Sequence, residues 1–254
     1  MSDPIAAALE TIGVAKNFGG IVAANDISLK IAKGARHALI GPNGAGKTTF
    51  INLLTGLLRP TRGRILLDGF DITSIAPYQR VRRGIARTFQ INQLFSDLTP
   101  LETIGLAVSE RLGSGADWWR LPGRRPRVTD ELVDVLERFR LVDVMHARTA
   151  TLPYGRQRLL EIALAYACKP RVLLLDEPAA GVPAGESAEI LDTLAALPAD
   201  VTVLLIEHDM DLVFRFAQRI SVLVNGALLV EGTADAIARD PQVKAVYLGE
   251  ASRA

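Results

Sequence analysis

Hydrophobic and polar positions follow two different rhythms along the chain. Asn25-Asp26-Ile27-Ser28-Leu29-Lys30-Ile31 alternates polar and apolar, as a half-buried strand does. Together with residues 9–14 and a turn at Gly19-Gly20, it predicts an N-terminal antiparallel β-region. Other runs are apolar without alternation: Ala38-Leu39-Ile40, residues 172–175 and residues 201–206. Such runs read as strands buried on both faces, the habit of a parallel sheet. Residues 64–67 and 85–90 add short strands. Asn225-Gly226 between two strand-like runs, 219–224 and 227–230, reads as a hairpin turn. Helical spacing appears over residues 130–139, where Leu132, Val135, Leu136 and Phe139 share one face, and again over 185–197, 211–218 and 234–239. Strands alternating with helices predict an α/β fold with a mainly parallel sheet. Residues 100–159 are predominantly helical and read as an inserted subdomain within a core formed by 1–99 and 160–254.

The strand at 38–40 runs directly into Gly41-Pro42-Asn43-Gly44-Ala45-Gly46-Lys47-Thr48-Thr49, and Phe50-Ile51-Asn52-Leu53-Leu54 opens an apolar helix after it. Strand, glycine loop and helix form the context in which Gly-x-x-x-x-Gly-Lys-Thr is a phosphate loop. The glycines let the backbone wrap closely, and loop N–H groups and the helix N-terminus then face an anion. Lys47 reaches β- and γ-phosphates, and the Thr48 hydroxyl is a ligand for Mg²⁺. The core is therefore expected to be a P-loop NTPase that binds a nucleoside triphosphate.

Two further strand ends carry chemistry. Residues 172–175 end in Asp176-Glu177, and residues 201–206 end in Glu207-His208-Asp209. Ligands of α/β sheets bind beyond the carboxyl ends of the strands. Asp176 is placed to hold Mg²⁺, Glu177 to polarise an attacking water, and His208 to meet a γ-phosphate. His37, inside a strand, and His146, near a helix end, read as structural. Phe18 admits two readings, stacking on a base or packing in the sheet. Gln90, after a short strand, is either a polar loop residue or a contact to metal or water.

Composition narrows this picture. Apolar residues make up 49% of the 254, and 29 basic residues balance 28 acidic ones, so no bulk attraction to nucleic acid is expected. One cysteine, Cys168, excludes an intrachain disulfide and reads as a buried thiol among alanines. No run approaches the ~20 apolar residues of a bilayer span, and Met1-Ser2-Asp3-Pro4 opens no secretory signal. A cytoplasmic protein is expected, with any membrane link made through a partner. Trp118 and Trp119 sit in a basic, irregular stretch and read equally as partner anchors or as loop packing.

Taken in order, these parts resemble the nucleotide-binding subunit of ATP-binding cassette transporters over essentially the whole chain. The resemblance implies ATP hydrolysis with Mg²⁺, held by the loop Gly41, Pro42, Asn43, Gly44, Ala45, Gly46, Lys47, Thr48 and Thr49. It implies base stacking by Phe18, a glutamine loop at Gln90 contacting the metal, and a Walker B strand ending at Asp176. It also implies a catalytic Glu177, a switch His208, and Mg²⁺ ligation by Thr48, Gln90 and Asp176. Residues 176–181, 205–210, 87–90 and 247–250 are similar to the branched-chain amino acid uptake subfamily. That likeness implies transmembrane permease subunits and a second ATPase subunit in a hetero- or homodimer. It implies a periplasmic or extracellular solute-binding protein met only indirectly, and a peripheral position on the inner face of the cell membrane. An exporter of lipid or glycolipid, a soluble cassette ATPase and a P-loop kinase are the rival readings.

The signature stretch departs from the family pattern Leu-Ser-x-Gly-Gln. Here Leu152 is followed by Pro153, Tyr154, Gly155, Arg156 and Gln157. In the family this stretch closes over the ATP of the partner subunit. Pro153 supplies neither a hydroxyl nor an N–H, a loss of roughly 1.5–3 kcal/mol for one charge-assisted hydrogen bond. Arg156 is expected to offset part of that loss through its charge. Gly181-Val182-Pro183-Ala184 likewise departs from Gly-Leu-Asn-Pro.

Overall fold

The computed structural model describes residues 6–88, 94–113 and 126–251, except for the side chains of 126–127, 184 and 248–251. Gln90, Trp118 and Trp119 lie outside the described residues. The elements in chain order are β1 (Ala7–Phe18), β2 (Ile21–Ala32), β3 (Arg36–Ile40), α1 (Lys47–Thr55), β4 (Arg62–Leu67), β5 (Phe70–Asp71), α2 (Pro77–Arg82) and β6 (Ile85–Arg87). They continue with α3 (Pro100–Arg111), α4 (Pro126–Arg138), α5 (Tyr154–Ala167), β7 (Val172–Asp176), α6 (Ala184–Ala195) and β8 (Thr202–Ile206). The last are α7 (Met210–Phe216), β9 (Arg219–Val224), β10 (Ala227–Gly232), α8 (Ala234–Arg239) and α9 (Pro241–Ala251). The chain divides into two compact units, one of Met1–Ile85, Arg171–Glu177 and Pro198–Ala254, the other of Ala86–Pro170 and Pro178–Leu197.

The first unit holds two sheets. The N-terminal one is antiparallel, in the order β2-β1-β4-β5. The alternation read at 25–31 is realised: Ile27, Leu29 and Ile31 are buried while Ser28 and Lys30 face water. In the second sheet the neighbours run β10-β9-β3-β8-β7, with β3, β8, β7 and β9 parallel and β10 returning antiparallel. β3, β7 and β8 are buried at every position, as the apolar runs 38–40, 172–175 and 203–206 within them require, and β3 also buries Arg36 and His37 ahead of its run. Asn225 (φ 49°) and Gly226 (φ 78°) turn β9 into β10, the paired positive φ of a two-residue hairpin turn. Phe50, Ile51, Leu53 and Leu54 of α1 are fully buried against Leu39, Leu174, Leu204 and Leu223. Burying each such side chain is worth about 1.5–3 kcal/mol.

A buried arginine finishes α1. Arg80 of α2, only 1% exposed, donates to the Leu53 and Leu54 carbonyls at 2.7 Å each. It also donates to Thr73 at 2.9 Å and Ile75 at 3.0 Å. The last carbonyls of a helix lack intrahelical donors and carry partial negative charge, so a cation there satisfies both deficits. Burial lowers the Arg80 pKa to about 10, with Asp71 pulling it back up.

The second unit is helical. Thr99 and Glu102 form a capping box at the start of α3, their side chains and backbone N–H groups pairing reciprocally at 2.8 and 3.2 Å. Leu132, Val135, Leu136 and Phe139 are buried as their spacing predicts. They join Ile104 and Val108 of α3 and Leu159, Ile162 and Ala163 of α5 among the unit's buried positions. Arg111 donates to the Ala167 carbonyl at the end of α5 (2.9 Å) and pairs with Glu131, which Lys169 also reaches at 3.1 Å. Residues 247–250, read only as a closing motif, belong to α9. Among the described residues, no helix is long and apolar enough to cross a membrane.

Candidate functional site

Register brings the chemistry of the first unit to one edge. Leu39 of β3 is level with Ile206 of β8, and Ile206 is level with Asp176 of β7. The three parallel strands therefore end together. The glycine loop, Glu207-His208 and Glu177 leave their carboxyl ends side by side, where α/β sheets place ligands.

The loop is braced from behind. Gly46 is the N-cap of α1 with φ 98°, and a Cβ there would lie 2.5 Å from the Ala23 carbonyl oxygen. Glycine is thus demanded twice, by conformation and by the closeness of β2. The Gly226 N–H donates to the Ala45 carbonyl at 2.9 Å, so the β9–β10 turn holds the loop's other flank. No side chain caps the start of α1. Its first N–H groups are left to meet an outside acceptor. Lys47 curls back along the loop, its Nζ donating to the carbonyls of Gly41 (2.5 Å) and Pro42 (3.0 Å). Thr48 is exposed on the first helical turn, with Asn43 and Gly44 exposed before it.

Asp176 closes β7 with 2% exposure. Glu177 follows in a left-handed conformation (φ 48°), its N–H bonded to the Ile206 carbonyl at 2.9 Å. Non-glycine residues hold such backbone at a cost of order 1 kcal/mol or more, and it recurs where a side chain must be aimed. His208 Nδ1 lies 3.7 Å from a Glu177 oxygen and 3.7 Å from a Glu207 oxygen. The His208 side chain is 66% exposed; the Glu207 carboxylate is 2% exposed. Phe18 ends β1, 46% exposed, with the Lys16 ammonium 5.1 Å above its ring. Thr48 and Asp176 offer a hydroxyl and a carboxylate, hard oxygen donors of the kind Mg²⁺ takes. Among the described residues no cluster of three His, Cys, Asp or Glu side chains forms a metal cage.

In the second unit, Pro153 is the N-cap of α5 (φ −54°, ψ 149°), and again no side chain caps the helix. Tyr154 is 40% exposed and lies under the Arg158 guanidinium at 5.6 Å. Gly155 is buried against Glu186, and a Cβ there would overlap the Glu186 carboxylate. The Gln157 amide donates to the Leu152 carbonyl at 2.9 Å. Arg156 has partners in its own unit: its guanidinium donates to the Arg140 carbonyl and pairs with the exposed Asp143 at 3.3 Å.

The remaining histidines and the cysteine stay outside this chemistry. His37 is buried and bonded through Nε2 to the Ser221 hydroxyl at 2.8 Å. Burial drives its pKa down to about 4, with Glu231 raising and Arg219 lowering it. His146 sits exposed in a turn. Cys168 is half-buried rather than fully buried, its thiol pKa raised by burial and lowered by Arg111. Sequence reasoning passed over Glu186 and Arg80, and named Glu207 only as a member of a polar cluster, with no role of its own. Of these only Glu207 carried a signal, being the first polar residue after an apolar strand.

With this geometry in hand, comparison with known proteins is informative. Residues 24–180 match the family model for the ABC transporter, and residues 227–252 match that for the branched-chain amino acid ATP-binding cassette transporter. The chain is 41% identical over 259 residues to the high-affinity branched-chain amino acid transport ATP-binding protein BraF of Pseudomonas aeruginosa, covering 99% of this chain and 100% of that one. It is 39% identical to LivG of Escherichia coli, a protein of the same description, with the same coverage. The ADP conformation of MJ1267, an ATP-binding cassette of an ABC transporter, superposes with a TM-score of 0.82 at 31% identity, covering 96% of this chain and 99% of that one.

Proposed function

The chain belongs to the ATP-binding cassette transporter family, and we propose that it is the ATP-hydrolysing subunit of a membrane transporter importing branched-chain or related hydrophobic amino acids. One observation carries this reading: full-length similarity to two branched-chain amino acid transport ATP-binding proteins, joined to the match of residues 227–252 to a model specific to that subfamily.

In the proposed mechanism the loop N–H groups and Lys47 hold the phosphates of ATP at residues 41–49, and Phe18 stacks on the base. Thr48 and Asp176, with Gln90, would hold Mg²⁺, which when bound neutralises charge on the β- and γ-phosphates. Glu177 polarises the attacking water, and His208 contacts the γ-phosphate. Positioning and charge stabilisation supply most of the catalysis. Residues 153–157 face the ATP of a second ATPase subunit, and the helical subdomain, read as 100–159, receives the permease. The protein works at the cytoplasmic face of the membrane and meets a solute-binding protein only through the permease.

Pro153 makes the two composite sites unequal. The site built on Lys47, Glu177 and His208 borrows its signature from the partner, whereas the partner's site borrows Pro153. Arg156, which contacts Arg140 and Asp143, offsets only part of the lost donor. The test is leucine uptake and single-turnover ATP hydrolysis by the assembled transporter in vesicles. Uptake of leucine-like solutes driven by ATP is expected, and Glu177→Gln should remove most turnover while the equivalent change in the partner costs little. Outward movement of lipid would overturn the import reading; equal losses would overturn the asymmetry.

A further inference from the structure

His208 has one Nδ1 and two carboxylates at the same distance, 3.7 Å, one on Glu177 and one on Glu207. Backbone structure sets this arrangement. Asp176 and Ile206 are level across β7 and β8, so the next residue on each strand, Glu177 and Glu207, occupies adjacent positions. The Glu177 N–H is bonded to the Ile206 carbonyl, locking that rung. The same Glu207 oxygen that faces Nδ1 also accepts the His208 backbone N–H at 3.1 Å. Asp209, the other acid beside His208, has its Oδ1 engaged by the N–H groups of Asp211 (3.0 Å) and Leu212 (3.2 Å).

From this geometry we infer that Glu207 is a positioning residue that takes the Nδ1–H of His208 and so turns Nε2 toward the γ-phosphate. The inference rests on the role given above to His208. Which ring nitrogen of a histidine carries the proton is set by the partner that the other nitrogen meets. A lone pair on Nδ1 would face two carboxylates, so the proton belongs on Nδ1 and Nε2 is turned outward. One N–H cannot bond fully to two acceptors. The buried Glu207 carboxylate, which also accepts the His208 N–H, is the better-ordered acceptor; Glu177 is 27% exposed.

The test combines a ¹⁵N-edited NMR spectrum of the histidine rings of the full chain with steady-state ATP turnover. The spectrum is taken at pH 8, about 1.5 units above an ordinary histidine pKa, with His208 assigned by its loss in His208→Gln. In the wild type Nδ1 carries the proton. Glu177→Gln leaves that signal in place, because Glu207 suffices. Glu207→Met moves the signal and speeds its exchange with water, as the proton passes to the more open Glu177, and kcat falls about 10-fold at unchanged KM for ATP. Should Glu207→Met fail to fold, Glu207→Leu, which also lacks an acceptor, is read the same way. A wild-type ring protonated on Nε2 overturns the inference. So does a signal lost in Glu177→Gln and unmoved when Glu207 is replaced. If the wild-type chain turns over no ATP the proposed function falls, while the spectrum still decides the role of Glu207.

Discussion

Of the described helices that start without a side-chain cap, α1 and α5 start differently. α1 opens at Gly46, with exposed Asn43 and Gly44 before it and Lys47 laid along the loop. α5 opens at Pro153, with the Glu186 carboxylate packed on Gly155 and Arg156 turned away to Arg140 and Asp143. Both carry the partial positive charge of a helix N-terminus. The first is surrounded by donors and glycines and is open to an anion. The second has an acid of its own chain beside it, and its nearest cation already contacts Arg140 and Asp143. An uncapped helix start is thus not one chemical object, and its neighbours decide what it can bind.

The comparison breaks most easily at Lys47. Lys47→Ala is expected to weaken ATP binding by roughly 3 kcal/mol or more, at least about 100-fold, measured by titration calorimetry. A loss under about 5-fold would mean that loop N–H groups alone make the first helix start a phosphate site.

The strand beneath that loop supplies the next effect. His37 titrates near pH 4 when folded, against 6.5 as a model group. Between those values the unfolded chain binds a proton that the folded chain refuses, so stability falls as pH drops through the window. The full loss is about 3 kcal/mol, and urea unfolding at pH 7 and pH 4.5 measures most of it. His37→Gln should flatten that dependence.

At the second helix start, Gly155→Ala places a methyl group on the Glu186 carboxylate, the flexible end of a side chain that must then turn aside, and should destabilise the protein by about 1 kcal/mol. Adding Glu186→Ala should recover more than half of the loss, since contacting residues couple. Two changes that simply add would show that Glu186 does not crowd Gly155. The smallest effect is expected from Pro153→Ser. A serine N-cap stabilises a helix by about 1 kcal/mol, of which the greater freedom of the unfolded chain without proline takes back roughly half, so Tm should rise by roughly 1–2 °C, read by thermal unfolding. No rise would mean that the α5 start is already satisfied by its surroundings.

Legibility in the sequence differed by region for a physical reason. β3, β7 and β8 were readable because buried parallel strands demand unbroken apolar runs, and the polar residues ending them marked the site. The β9–β10 turn was readable because Asn225-Gly226 suits its backbone. Arg80 was not readable. It stands in Arg80-Val81-Arg82-Arg83, a run that looks like solvated surface, and only the fold shows it buried against the end of α1. Glu186 was hidden in the same way, as one acid in the first turn of α6 whose neighbour Gly155 is 31 positions earlier in the chain.

By itself, the sequence determined the parts whose chemistry is local: the glycine loop, the strands beneath it, and the acids and histidine that follow those strands. Backbone conformation and helix starts are properties of a few consecutive residues, so they can be read along the chain. Tertiary structure alone decided that Glu207 lies buried against His208, that Arg156 is bound to Arg140 and Asp143, and that Arg80 closes α1. Those pairings join side chains through register and packing, and no local pattern encodes which charge will find which partner.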